Sequence, residues 1–248
     1  MLAVGTTHPY ASAGLLLDLT ALRVLGVRGL AVVAGVSAQD AGGVRARTAV
    51  DPATIAAQFA ALAGVPIGAC CVGALLDAPS VAAVAAGLAA RPGVPVVCDP
   101  VVAASDGDRL ADDATVAALR ADLFARCTLL TPNLDEAALL TGAAIRDVPA
   151  MYAALPALRG LGARALLLKG GHLAGDTCDL FDDGVRTVEL RAPRIAGDVR
   201  GTGSLLAAAI AARLAAGDAL FDAIAFARAF VRERIANGVA FGGMRVAY

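Results

Sequence analysis

Gly201-Thr202-Gly203-Ser204, running directly into LLAAAIAARLAAG at 205–217, joins a glycine turn to an apolar, alanine-rich helix. Two glycines let the backbone turn tightly, and the first amides of the helix, which have no partner inside it, point into the turn. A phosphate or similar anion is the natural guest of that geometry. The same pattern also serves as an ordinary helix start, so the surrounding segments have to separate the two readings.

Outward from this turn the chain alternates between short apolar runs and helical stretches. Leu2–Val4, Leu30–Val36, Val94–Cys98, Cys127–Leu130 and Ala165–Leu168 are runs of strand length, with helical candidates between most of them. That alternation predicts an α/β fold with a mostly parallel sheet covered on both faces. Asp182-Asp183-Gly184, between Cys178–Phe181 and Val185–Leu190, predicts a hairpin and antiparallel strands at that edge. Beyond it the pattern predicts only the glycine turn and two helices, the second over about Asp218 to Ile235. No repeat, linker or break in composition divides the chain, which predicts one domain over residues 1–248.

Composition narrows the function. Hydrophobic residues make up 58% of the chain, yet no uninterrupted apolar run is long enough for a membrane-spanning helix, and Arg213 interrupts the best candidate. The first residues, MLAVGTTHPY, have no basic residue ahead of the apolar segment and read as a buried strand, not as a secretory signal. Five cysteines, Cys70, Cys71, Cys98, Cys127 and Cys178, form an odd set without metal-ligand spacing, which fits reduced thiols in a cytoplasm. A net charge of −1 with the basic residues dispersed leaves no footprint for nucleic acid. Small-molecule chemistry is the expectation.

In such a sheet, ligands bind beyond the carboxyl ends of the strands. The segments expected there are polar: His8-Pro9-Tyr10-Ala11-Ser12-Ala13-Gly14, Ser37-Ala38-Gln39-Asp40, Asp99-Pro100-Val101-Val102, Thr131-Pro132-Asn133-Leu134-Asp135-Glu136 and Lys169-Gly170-Gly171-His172. Asn133 is a good cap for a helix beginning near Leu134.

The segments SAQD, CDPVVAASDGDRL, TPNLDEAALLTG, LLLKGGHLAGDTCDLFDDG and RGTGSLLAAAIAARLAAG, in this order, resemble the hydroxymethylpyrimidine/phosphomethylpyrimidine kinases of thiamine biosynthesis, members of the ribokinase-like superfamily. The similarity runs from Leu2 to about Ile235. It implies a three-layer α/β/α fold and phosphorylation of a pyrimidine hydroxymethyl group, then of the resulting monophosphate, using ATP and Mg. It also implies a homodimer. In that family Asn133 and Glu136 match an Asn-x-x-Glu element associated with the metal and the nucleotide phosphates. Lys169 matches a strand-end lysine that approaches the phosphates, and Gly201, Thr202 and Gly203 match the anion hole for the transferring phosphoryl group. Gln39 matches a pyrimidine-contacting glutamine, and Val102 lies in a segment that lines the pocket.

Three departures fall on the alcohol side. The family's Gly-Thr-Gly-Cys ends here in Ser204, and a serine hydroxyl does not ionise near neutrality as a cysteine at a helix start can. The aspartate that helps bind the pyrimidine is replaced by His8, whose neutral imidazole offers one donor and one acceptor. Lys-Ile-Gly-Met becomes Cys71-Val72-Gly73-Ala74, losing a charge and a large side chain. Asp198 is either a substitute base for Ser204 or a solvated turn residue. Besides a kinase of hydroxymethylpyrimidine, the departures leave open a kinase of a pyridoxal-type vitamer and a non-catalytic relative that binds a pyrimidine or nucleotide.

Overall fold

A computed structural model of the chain describes residues 1–103 and 109–247, so residues 104–108 of the CDPVVAASDGDRL segment lie outside the described residues. The strands are β1 (Leu2–Thr7), β2 (Leu30–Asp40), β3 (Gly43–Ala49), β4 (Cys70–Val72), β5 (Val96–Cys98), β6 (Leu129–Leu130), β7 (Leu166–Leu168), β8 (Thr177–Asp182) and β9 (Thr187–Ala192). They form one sheet in the order β3-β2-β1-β4-β5-β6-β7-β8-β9. From β2 across to β7 all pairings are parallel, while β3 at one edge and β8 and β9 at the other are antiparallel.

The helices are α1 (Gly14–Val24), α2 (Pro52–Ala61), α3 (Ala78–Ala89), α4 (Asp113–Ala118), α5 (Leu134–Thr141), α6 (Val148–Arg159), α7 (Thr202–Ala215) and α8 (Leu220–Ala236). Two apolar clusters separate them into layers. Ile55, Phe59, Val84, Val116, Leu140 and Leu158 bring α2 to α6 onto one face, and Leu22, Ile210 and Ile224 bring α1, α7 and α8 onto the other. The strand residues alternate between the clusters, as the two-residue period requires. Cys70 and Val72 face the first and Cys71 the second; Val96 and Cys98 face the first and Val97 the second. Because both faces are covered, these strands read as continuous apolar runs. The result is the expected three-layer α/β/α architecture.

The chain departs from the expected elements in four places. β4 and β3 were absent from the expected strands: β4 has three residues, and β3 (GVRARTA) is an edge strand whose arginines are exposed. β6 begins only at Leu129, because Phe124–Arg126 form a short 3-10 turn that leads into Cys127. The expectation of nothing but two helices after the glycine turn is also wrong. α8 is followed by a hairpin of β10 (Val239–Phe241) and β11 (Met244–Val246). Its two-residue turn, Gly242-Gly243, has positive φ at both positions (55° and 83°), the tight turn that matches strand twist. The expected hairpin at Asp182-Asp183-Gly184 is present between β8 and β9.

β1 is flanked by β2 and β4, so the chain reverses direction across the sheet at this point. The crevice beyond the carboxyl ends of β1 and β4 is where such sheets bind ligands, and the loops after β1, β4, β5, β6 and β7 open on that rim.

Candidate active site

Gly201 is the N-cap of α7 with φ of 84°, a conformation that favours glycine, and a side chain there would run into the Ser12 carbonyl and Leu17. Thr202 opens the helix. At Gly203 a first side-chain carbon would come within 2.9 Å of Asp99 Oδ2 and 3.3 Å of Lys169 Nζ. The glycine turn, the residue after β5 and the residue after β7 therefore meet at one point. Ser204 lies in the first turn of α7 and is not its cap; its Oγ accepts the Gly14 backbone N–H at 3.1 Å, tying the start of α7 to the start of α1.

Lys169 is the chain's single lysine; its other basic residues are arginines. Its Nζ donates to Asp99 Oδ1 at 2.6 Å, and the two side chains are 15% and 6% exposed. Thr131 Oγ1 donates to the same Asp99 oxygen at 3.1 Å. Burial alone would lower the pKa of the Lys169 ammonium, but the charges of Asp99 and Glu136 hold it above its ordinary value. The Lys169 N–H donates to Pro132 O at 2.8 Å, which fixes the end of β7 against the loop carrying Asn133.

Asn133 and Glu136 form a reciprocal capping box at the start of α5. Asn133 Oδ1 accepts the Glu136 N–H at 2.8 Å, and Glu136 Oε2 accepts the Asn133 N–H at 2.7 Å. Asn133 is thus the helix cap, with its side-chain oxygen already engaged. Glu136 is 4% exposed, and burial pushes its pKa up to about 8 despite the nearby Lys169 charge.

The alcohol side is less closely assembled. His8 was expected to be either an exposed loop residue or a pocket ligand; it is 5% exposed, and neither ring nitrogen makes a well-formed hydrogen bond, although the ring lies against the Ala13 backbone. Burial holds its pKa below the ordinary value; a polar contact with the Ala13 backbone opposes that shift and the charge of Arg200 adds to it. Gln39 is half-buried on β2, with its Oε1 accepting from Ser37 Oγ at 3.2 Å. Val102 is 3% exposed and belongs to the core cluster beneath α2 to α6. Cys71 is core, and Asp198 is exposed in its turn. The hairpin β10–β11 lies beside this region: the Arg200 N–H donates to Arg245 O at 2.9 Å, and the Tyr10 and Phe241 rings meet edge-on at 5.8 Å.

Asp99 is the central residue that sequence reasoning passed over. The available signal was its position: an Asp-Pro pair directly after a strand, at the carboxyl edge where ligands bind. Nothing in the sequence alone pairs it with Lys169, 70 positions away.

A glycine turn at a helix start beside a buried lysine and two carboxylates, on a three-layer α/β/α sheet, defines a ribokinase-like phosphotransferase. The chain belongs to the phosphomethylpyrimidine kinase family, whose pattern matches residues 9–247. It is 36% identical over 212 residues to the hydroxymethylpyrimidine/phosphomethylpyrimidine kinase of Streptomyces coelicolor, covering 85% of this chain and 78% of that one. It is 39% identical to the bifunctional thiamine biosynthesis protein ThiED of Geobacter sulfurreducens, of which it spans 44%. Among solved structures, the phosphomethylpyrimidine kinase of Clostridium difficile superposes with a TM-score of 0.83 at 25% identity, covering 94% of this chain and 98% of that one. An ADP complex of Bacillus subtilis pyridoxal kinase superposes at 0.89 with 26% identity, covering 99% and 96%. Among the described residues no helix is long and apolar enough to cross a membrane.

Proposed function

We propose that this chain transfers the terminal phosphoryl group of ATP to the hydroxymethyl group of hydroxymethylpyrimidine and to the monophosphate so formed, working as one domain. The observation that carries this reading is the convergence of Gly203, Lys169 and Asp99 at one point beside the α7 N-terminus. Phosphoryl transfer passes through a loose transition state in which positioning and charge stabilisation do most of the work. The glycine turn offers backbone N–H groups to the transferring group, and Lys169 offers a point charge held rigidly by Asp99. Incubation with ATP and each alcohol, followed by phosphorus NMR of the products, tests the reading. Nucleotide binding without a phosphorylated product from hydroxymethylpyrimidine, its monophosphate or pyridoxal would favour a non-catalytic relative.

The donor set suits Mg bound through a nucleotide. Among the described residues there is no group of three or more metal-ligating side chains. Glu136 and the Asn133 amide are what a phosphate-bound Mg needs, since that ion is usually held by one or two carboxylates plus phosphate oxygens and water. A buried carboxyl with a pKa of about 8 is also a group waiting for positive charge. When bound, the ion would neutralise charge developing on the phosphates.

This gives a pH prediction. The folded-state pKa of Glu136 lies above its ordinary 4.5, so its contribution to stability is full below that value and is lost as pH rises toward 8. Binding of Mg-nucleotide selects the ionised form and should release a proton below about pH 8. Calorimetry at one pH in two buffers of different protonation heat measures the release, and Glu136→Gln should abolish the Glu136 share. Identical proton release in wild type and variant would count against the assignment.

His8 gives a second. A buried ring nitrogen without a well-formed hydrogen bond costs about 1–3 kcal/mol until a ligand supplies the missing group. His8→Leu should therefore lower kcat/KM for the alcohol by about tenfold or more while KM for ATP stays constant. The altered pocket also predicts that unmodified hydroxymethylpyrimidine is handled less efficiently than a dedicated kinase handles it. Comparing kcat/KM over several alcohols checks this, and ordinary efficiency with that alcohol would refute it.

A further inference from the structure

Lys169 stands at the head of the loop between β7 and β8, and the order of that loop comes largely from side chains outside it. Arg194, two residues past β9, donates to three loop carbonyls: Nε to Gly175 at 2.7 Å, Nη1 to Gly171 at 2.8 Å, and Nη2 to Leu173. On the other side, Asp179 of β8 accepts the Gly170 N–H at 2.9 Å through Oδ1 and Arg228 Nε of α8 at 2.8 Å through Oδ2. The loop is therefore pinned from both sides by charged groups.

The pinning sets the direction of the peptide dipoles. A trans peptide carries its C=O and N–H on opposite sides, and the chain has no cis peptide. With the Gly171 and Leu173 carbonyls turned onto Arg194, the N–H groups of His172 and Ala174, in the same peptide units, turn away from it. Both residues are exposed. His172 Nδ1 lies 3.5 Å from Asp135 Oδ2 at the start of α5, which places this stretch of loop next to the element carrying Asn133 and Glu136.

We infer that Arg194 is a positioning residue for the nucleotide: by holding three carbonyls it sets the loop so that Lys169 and outward peptide N–H groups meet the phosphates of a nucleoside triphosphate. The inference rests on the kinase reading and goes beyond it, since Arg194 lies outside the glycine turn, the Lys169–Asp99 pair and the capping box. A lysine cannot substitute, because its compact ammonium lacks the planar fork that serves three acceptors at once.

The test is calorimetric titration of wild type, Arg194→Ala and Arg194→Lys with a non-hydrolysable ATP analogue, and in parallel with the free alcohol. Both variants should bind the nucleotide about tenfold more weakly, with alcohol affinity held within about twofold. Because the chain has a single lysine, protein labelled with 15N-lysine reports Lys169 as an isolated amide signal, which should move in both variants. Wild-type nucleotide affinity in Arg194→Ala overturns the inference whatever happens to the melting temperature. An equal loss of nucleotide and alcohol binding also overturns it, because that marks general loosening. A wild type that binds no nucleotide overturns the kinase reading itself and the inference with it, a result distinct from the other two.

Discussion

Lys169→Ala should weaken binding of ATP by about a hundredfold or more and lower fold stability by about 3 kcal/mol, while leaving affinity for the free pyrimidine within a few-fold. The size of both effects follows from the same geometry. The Lys169–Asp99 pair is mostly buried, so removing the cation leaves a carboxylate without a counter-charge, accepting from Thr131 Oγ1 at 3.1 Å. It also leaves the Asp99 carboxylate facing an incoming triphosphate with no positive charge between them, so an attraction is exchanged for a repulsion. Adding Asp99→Asn to Lys169→Ala separates the two consequences. The double variant should regain much of the stability, because the orphaned charge is gone, but not the nucleotide affinity. Calorimetric melting and titration with an ATP analogue read both quantities. Wild-type nucleotide affinity in Lys169→Ala would remove the lysine from the site.

The layers of the fold were legible because the buried parallel strands leave a simple mark. Leu166–Leu168 and Val96–Cys98 are apolar at every position, since both sheet faces are covered, and the helices between them are alanine-rich. β3 escaped notice because an edge strand is free to carry charge: Arg45 and Arg47 interrupt its apolar pattern. β4 is no shorter than β5 or β7, but its Cys70-Cys71-Val72 carries less of the valine and leucine signal that marks those strands. The C-terminal hairpin did carry a signal in Gly242-Gly243 between two short runs. The strong helical pattern of α8 drew attention away from it.

Site residues divide along a different line. Gly201 and Gly203 could be read locally, because a glycine turn before a helix suits an anion, whereas Lys169 was marked out by the family resemblance and the two glycines after it. The dual nature of Asn133 and Glu136 was visible only as an alternative, and the capping box shows one half of it. Asp99 depends on long-range pairing, and His8 depends on burial that no local pattern encodes. The role of Arg194 was illegible for the same reason: its three acceptors lie about twenty positions earlier in the chain.

Ser204→Cys should raise turnover on the best alcohol by about tenfold to a hundredfold, whereas Ser204→Ala should lower it by only about tenfold. The hydroxyl already accepts the Gly14 N–H at 3.1 Å, which engages one lone pair and leaves its own hydrogen to be donated elsewhere. In that arrangement Ser204 is expected to donate to a phosphoryl or alcohol oxygen and not to take up a proton. Alanine removes one donor and leaves the Gly14 N–H unpaired, a loss on the scale of a hydrogen bond. A cysteine places a thiol at the first turn of α7, with the Gly14 N–H directed at the sulphur, and both features lower a thiol pKa toward neutrality. The resulting thiolate is a base that the serine cannot be. Ser204→Asp would also supply a base, but it adds negative charge where phosphates are expected, so cysteine isolates the effect better. The pH–rate profile provides the signature: kcat/KM of the cysteine variant should show an added ionisation that wild type lacks. If the cysteine variant is slower than wild type and its profile unchanged, proton acceptance at this position contributes nothing. If Ser204→Ala loses several orders of magnitude with folding and ATP binding intact, the serine is essential and does more than donate one hydrogen bond.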